Sequence, residues 1–216
     1  MPNKTVLTIL SKTKNITLGP LIRGAGIPVP CYPDLRALLS NPKNLTAIAG
    51  ECSRIIEGWG NINLIAGCSM GGITLATAIS IQTGLPMIVL RNSARMFLNS
   101  LIDGEYKRGQ RAVLIDDSIV TGVVQRGFIE ELKRVNVKPL HLLTIMDIGT
   151  APAWQKQRGW IHDHGIEVHS LATWTEWALY MRDRGRISRA TVQTILHLME
   201  HPPRWVESEQ ESAEKK

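Results

Sequence analysis

The stretch Val113-Leu-Ile-Asp116-Asp117-Ser118-Ile119-Val120-Thr121-Gly122 constrains the fold of this chain more than any other. An apolar run ends in two adjacent carboxylates, a turn rich in hydroxyls and glycine follows, and a helix-like segment then spans 123–135. That order is a strand, a loop and a helix start. Such a loop offers backbone N–H groups and the positive end of a helix to a phosphate. Unpaired acids beside an anion site would repel the anion. They make sense where they hold sugar hydroxyls, or a Mg²⁺ shared with the ligand's phosphates. Helix capping accounts for one Asp or Ser, but poorly for two acids followed by Ser-x-x-Thr-Gly. The expected ligand is a phosphorylated sugar, bound outside the carboxyl ends of the strands of an open α/β sheet.

The rest of the chain alternates in the same way. Leu45, Ile48, Ala49, Cys52, Ile55 and Ile56 recur at helical spacing and predict a helix over 43–58. Strands are expected at 63–66, 87–90, 112–115, 140–146 and 166–171. Further helices are expected at 73–83, 152–164, 173–182 and 189–201. This pattern predicts an α/β fold: a parallel twisted sheet with helices on both faces. Residues 1–40 are rich in Gly and Pro and are expected to be irregular, and 92–110 is expected to be a loop with a hairpin at Asp103-Gly104. The N-terminal segment and the last two helices fall outside the alternation and are expected to form a small cap over the strand ends. One domain over 1–206 is expected, with 1–40 as its hood, followed by a charged, frayed tail over 207–216.

A second strand-to-helix turn, Gly67-Cys68-Ser69-Met70-Gly71-Gly72, offers another set of N–H groups to an anion. Two anion cradles at neighbouring strand ends suit a ligand with phosphates at both ends. Arg91, directly after the next strand, would stand at the same edge. The net charge of +6 fits a phosphate-rich ligand. The basic residues are dispersed rather than clustered, which points away from nucleic acid. Three widely spaced cysteines, without zinc-ligand spacing, point to a reducing cytoplasm rather than a disulfide framework. No apolar run approaches the length of a membrane span, and a signal peptide is not expected. His162-Asp163-His164 is expected to be a solvated helix end rather than a metal site. Trp174 and Trp177 are expected to pack a helix face, and Cys68 to be a small packing residue.

These residues resemble a type I phosphoribosyltransferase, and most of all the orotate phosphoribosyltransferase branch. The family signature is an apolar strand, two acids and a Thr-Gly turn, here Val-Leu-Ile-Asp116-Asp117-Ser-Ile-Val-Thr121-Gly122. Ala66-Gly-Cys-Ser-Met-Gly-Gly-Ile-Thr-Leu-Ala76 resembles the diphosphate loop and its helix, Ile102-Asp-Gly-Glu105 the segment before the signature strand, and Tyr32-Pro-Asp-Leu-Arg36 the branch's Tyr-x-Asp-Leu-Arg. The similarity spans roughly 15–180. The resemblance implies Mg²⁺-dependent transfer of a phosphoribosyl group from phosphoribosyl diphosphate to a nucleobase, with release of diphosphate, by a homodimer. Asp116 and Asp117 would hold the ribose hydroxyls, directly or through Mg²⁺. Ser118, Ile119, Val120, Thr121 and Gly122 would hold the 5′-phosphate. Ser69, Met70, Gly71 and Gly72 would face the diphosphate, assisted by Arg91. Catalysis would rest on the acid pair and on Arg95 of a mobile lid, through positioning and neutralisation of the departing diphosphate.

The chain departs from that branch at defined places. Asn92 stands where the lid has its first lysine, and Phe97 and Leu98 replace its histidine and glycine. Pro28 replaces a basic residue before the Tyr-x-Asp. Asp147-Ile148 replaces Asp-Arg, whose arginine reaches the base. An orotate carboxylate would lack those cations. Two readings follow: a transferase acting on a base other than orotate, or a non-catalytic regulator that binds phosphoribosyl diphosphate.

Overall fold

Hydrophobic alternation along the central strands gives the sheet two buried faces. Leu64, Ala66, Cys68, Ala112 and Leu114 face one hydrophobic core, while their neighbours Ile65, Val113 and Ile115 face the other. The computed structural model describes residues 3–12, 16–23, 27–91 and 100–201, of which 16–23, 27–33 and 153 are described by their backbone alone. In chain order the elements are α1 (Lys4–Ser11), β1 (Ile16–Arg23), β2 (Ile27–Pro33), α2 (Leu35–Leu39), α3 (Pro42–Trp59), β3 (Leu64–Cys68), α4 (Ser69–Thr83), β4 (Met87–Leu90), β5 (Ile102–Asp103), β6 (Arg111–Ile119), α5 (Val123–Arg134), β7 (Lys138–Asp147), α6 (Pro152–Gln157), α7 (Gly159–Asp163), β8 (Glu167–Thr173), α8 (Trp174–Arg182) and α9 (Arg189–Glu200).

Six strands form the main sheet in the order β5-β4-β3-β6-β7-β8. All neighbours are parallel except the edge strand β5, which runs antiparallel to β4. The larger core lies under α1, α2, α3, α4, α8 and α9, and the smaller under α5 and α7. The expected α/β architecture is therefore present, with one antiparallel edge. Among the described residues no helix is long and apolar enough to cross a membrane.

Several boundaries differ from the sequence-based expectation. The N-terminal region is ordered into α1, a β1–β2 antiparallel ribbon and α2. Asn3 caps α1 by accepting from Val6 N at 3.1 Å, and Val6, Leu7 and Leu10 are buried at helical spacing. The prolines of β1 and β2 are tolerated because both strands of a two-stranded ribbon are edges. The Asp103-Gly104 hairpin is not formed; Asp103 pairs with Val89 in the sheet. The helix expected over 152–164 is two short helices, divided at Arg158. The glycine turn at 69–72 belongs to α4, and β6 runs four residues past Ile115. The last two helices join the larger core through Trp174, Trp177, Met181, Val192 and Ile195.

Candidate active site at the strand switch

The chain leaves β3 outward through β4 to β5, and leaves β6 outward in the other direction through β7 to β8. Open α/β sheets bind ligands at such a reversal, beyond the carboxyl ends of the strands. Pairing between β3 and β6 ends at Gly67 and Ile115, because the chain turns into α4 at Ser69, whose φ is +58°. Beyond that point β6 keeps β7 as its neighbour, with Asp116 opposite Thr144 and Ile119 opposite Asp147. The acid pair thus stands where β3 has left the sheet.

Asp116 is buried, at 2% exposure. Its carboxylate accepts hydrogen bonds from Ser69 Oγ, from Gln125 Nε2 at 2.6 Å and from Asp117 N at 2.8 Å. Burial, together with the neighbouring Asp117 charge, pushes its pKa up to about 6, against the pull of the bonds from Ser69 and Gln125. Asp117 is half-buried and accepts from Ser118 Oγ at 3.1 Å. Cys68 is buried, and its Sγ donates to Ile115 O at 3.3 Å. Burial, and then the charges of Asp116 and Asp117, raise its thiol well above the usual range, which fits packing and not nucleophilic attack.

After Ile119 the chain turns into α5 through Gly122, whose φ of +81° favours glycine. Among the described residues no side chain caps α5, so its first N–H groups face an open hollow of about 230 Å³. Ser69, both acids, Ser118 and residues 120–125 line it. The turn is braced from behind. Ile148 N and Gly149 N donate to Ile119 O at 2.9 and 3.3 Å, and a side chain on Gly149 would collide with the Val120 carbonyl. Arg158, 2% exposed, donates through Nη2 to Asp147 Oδ2 at 2.6 Å and to Gly149 O at 3.1 Å. Ile148 is buried in the larger core.

The structure thus brings Asp116, Asp117, Ser118, Val120, Thr121, Gly122 and Ser69 around one hollow. It separates others from it. The Ile119 side chain is buried in the smaller core. Met70 is 76% exposed and lies outside the lining. Gly71 and Gly72 are pressed against β6 instead of lying open: a side chain at Gly71 would meet the Asp117 carboxylate, and at Gly72 the Ile115 carbonyl. Their glycine identity serves close packing of α4 on β6. Arg91 forms an ion pair with Asp103 at 3.3 Å and is not part of the lining. Arg95 lies outside the described residues. Sequence reasoning missed Gln125, although Gln at the third position of a helix often reaches back across the helix start. It also missed Arg158, which carried no local signal.

A six-stranded, mostly parallel sheet with an acid pair and an uncapped helix start at its strand switch defines a type I phosphoribosyltransferase fold. The phosphoribosyl transferase domain family matches residues 34–179, and the chain belongs to that family. It is an enzyme of the phosphoribosyltransferase class, and it is similar to the orotate branch. The orotate phosphoribosyltransferase of Roseobacter denitrificans is 25% identical over 193 residues, covering 88% of this chain and 84% of that one. Leishmania donovani UMP synthase superposes with a TM-score of 0.78 at 22% identity over 90% of this chain; the chain spans 41% of that protein's length. The Mycobacterium tuberculosis orotate phosphoribosyltransferase in complex with 5-phospho-α-D-ribosyl 1-diphosphate gives a TM-score of 0.57 at 23% identity, over 68% of this chain and 82% of that one.

Proposed function

We propose that the protein transfers the phosphoribosyl group of phosphoribosyl diphosphate to a nitrogenous base that lacks a carboxylate, releasing diphosphate. The observation that carries this reading is the acid pair at the end of β6, beside the uncapped start of α5. The 5′-phosphate would take the N–H groups of residues 121–125 and the Thr121 hydroxyl. Asp116 and Asp117 would accept the ribose hydroxyls. Asp116 already accepts three hydrogen bonds, from Ser69, Gln125 and Asp117 N, so it suits an indirect role toward Mg²⁺. Asp117, which accepts from Ser118 alone among the described residues, suits the closer one. Bound Mg²⁺ would neutralise the departing diphosphate. Ser69 is the α4 residue that would face it; Arg91 would have to leave Asp103 to help. Arg95 would act from the lid.

A base without a carboxylate fits the strand end beside the hollow. Ile148 is buried where the branch carries its base-reading arginine, and the guanidinium of Arg158 is tied to Asp147 and Gly149. An orotate carboxylate would have to compete with Asp147 for the guanidinium of Arg158 there. The relatives' names nevertheless make orotate the first base to test. Diphosphate release should be followed with Mg²⁺, phosphoribosyl diphosphate and a panel of purines and pyrimidines including orotate. Turnover of an uncharged base supports the proposal; rapid formation of orotidine monophosphate overturns the base assignment. The replacements at Asn92, Phe97 and Leu98 favour a second reading, a non-catalytic regulator. Titration calorimetry showing Mg²⁺-dependent binding of phosphoribosyl diphosphate, with no base turned over, would select it. The proposal includes one domain hooded by its N-terminal segment, a cytoplasmic setting and a homodimer, the last checked by light scattering.

A further inference from the structure

Parallel pairing of β7 with β8 assembles a second cluster at the opposite edge of the sheet. His141 lies opposite Glu167, and Leu143 opposite His169. Glu167 and His169, two apart on one strand, therefore share the face of His141. Asp116 lies opposite Thr144, three residues along β7 from His141, so the cluster stands roughly 10 Å along the strands from the acid pair and on the other face of the sheet. Glu167 Oε2 stands 3.5 Å from His141 Nδ1 and 3.3 Å from His169 Nε2, and all three atoms lie within 4.8 Å of one another.

These separations suit ligands better than hydrogen bonds. A tetrahedral ion with N and O ligands at about 2.0–2.1 Å spaces those atoms roughly 3.3–3.4 Å apart. His141 Nδ1 is shielded from water and has no hydrogen-bond partner among the described residues, an unfavourable state for a ring nitrogen in either tautomer. Its ring is held by Trp59, stacked at 3.8 Å with an interplanar angle of 7°. The rim is open: the Glu167 side chain is 69% exposed and that of His169 34%. An ion and a completing water can therefore approach from solvent. Two imidazoles and one carboxylate suit zinc and its transition-metal neighbours rather than Mg²⁺, which prefers oxygen ligands.

We propose that His141, Glu167 and His169 bind one divalent transition ion of the zinc type. Such an ion ties the start of β7 to the start of β8 and, through the Trp59 stack, to the end of α3. Linear spacing hides the site, because Glu167 and His169 lie 26 and 28 residues from His141 and only strand register unites them. The untagged protein, stripped with a chelator, is titrated calorimetrically with Zn²⁺ in the absence of Mg²⁺ and phosphoribosyl diphosphate. One equivalent is expected to bind. Glu167→Gln and His169→Ala, at accessible positions that spare the Trp59 stack on His141, should each weaken binding by at least about tenfold. The double change His197→Ala/His201→Ala removes the other His/Glu group among the described residues, the exposed trio His197, Glu200 and His201 at the end of α9, and should leave this binding intact. Absence of saturable binding, indifference to the Glu167 and His169 changes, or loss in the α9 variant would each overturn the proposal.

Discussion

Asp116 carries a carboxylate at a position almost closed to water, next to a second carboxylate. Ser69, Gln125 and the Asp117 amide offset part of the cost of ionising it, yet its pKa still rises to about 6 from an ordinary 3.8. The sign of the linkage follows. A carboxyl whose folded pKa exceeds its unfolded pKa binds protons more tightly when folded. Its stabilising contribution is full below about 4 and is lost as pH rises through about 6. The shift corresponds to about 3 kcal/mol. Asp116→Asn removes this titration, so the stability difference between variant and parent should move in the variant's favour by up to about 3 kcal/mol from pH 4 to pH 8. Urea unfolding at both pH values measures it; a pH-independent difference would rule out the raised pKa. The same proton should weaken phosphoribosyl diphosphate binding as pH falls through about 6, because a protonated Asp116 accepts fewer hydroxyl bonds. Gly72 bears on the site through shape alone. A methyl group there meets the Ile115 carbonyl and lies 2.8 Å from Asp116 Cα. Gly72→Ala should cost about 1–3 kcal/mol and displace the acid pair, seen as lowered thermal stability together with lost ligand binding.

Between elements, the turn joining β6 to α5 holds its shape because the turn after β7 lies directly behind it. Arg158 fastens that support by bonding both Asp147 and Gly149 O, while Gly149 N donates to Asp147 Oδ1 at 2.8 Å. Arg158→Met keeps bulk but strands a mostly buried carboxylate, and should destabilise the fold by about 3 kcal/mol or more. Adding Asp147→Asn should recover part of that loss, and a double-mutant cycle of unfolding free energies tests the coupling. This brace marks the boundary of what sequence reveals. The β6–turn–α5 unit was legible because its apolar period, acids and turn residues are contiguous. Most strands and helices from Pro42 onward were legible for the same reason, with ends misplaced by a few residues; the short edge strand β5 and the break between α6 and α7 were not. The β1–β2 ribbon was not, because Gly and Pro signal breaks locally while an edge ribbon tolerates them. Gln125 joins Asp116 across nine residues and Arg158 joins Asp147 across eleven, and no local pattern announces either partnership. The packing role of Gly71 and Gly72 was equally hidden, because glycine at a strand–helix turn has the same appearance whether it faces a ligand or a neighbouring strand.

At the scale of the molecule, the hollow lies on the seam between the two cores. Ser69 begins α4, which packs in the larger core, and α5 packs in the smaller one. A ligand spanning both helix starts therefore ties the two layers together. Ligand that binds the folded state alone stabilises it by about 2.7 kcal/mol at a hundred times its Kd. For a chain of this size each kcal/mol raises Tm by roughly 2–4 °C. Saturating phosphoribosyl diphosphate with Mg²⁺ should thus raise Tm by about 5–10 °C in scanning calorimetry. The double change Asp116→Asn/Asp117→Asn should lose most of that increment while keeping a cooperative transition, since it removes both negative charges and one acceptor oxygen from each residue but no apolar contact. His169→Ala should retain the increment, because it lies on the edge strand β8, two strands from β6, and does not line the hollow. A full Tm rise in the Asn/Asn protein would place the ligand elsewhere and remove the basis for the assigned site. An absent rise in the parent would show that the fold has kept the shape of the site without its affinity.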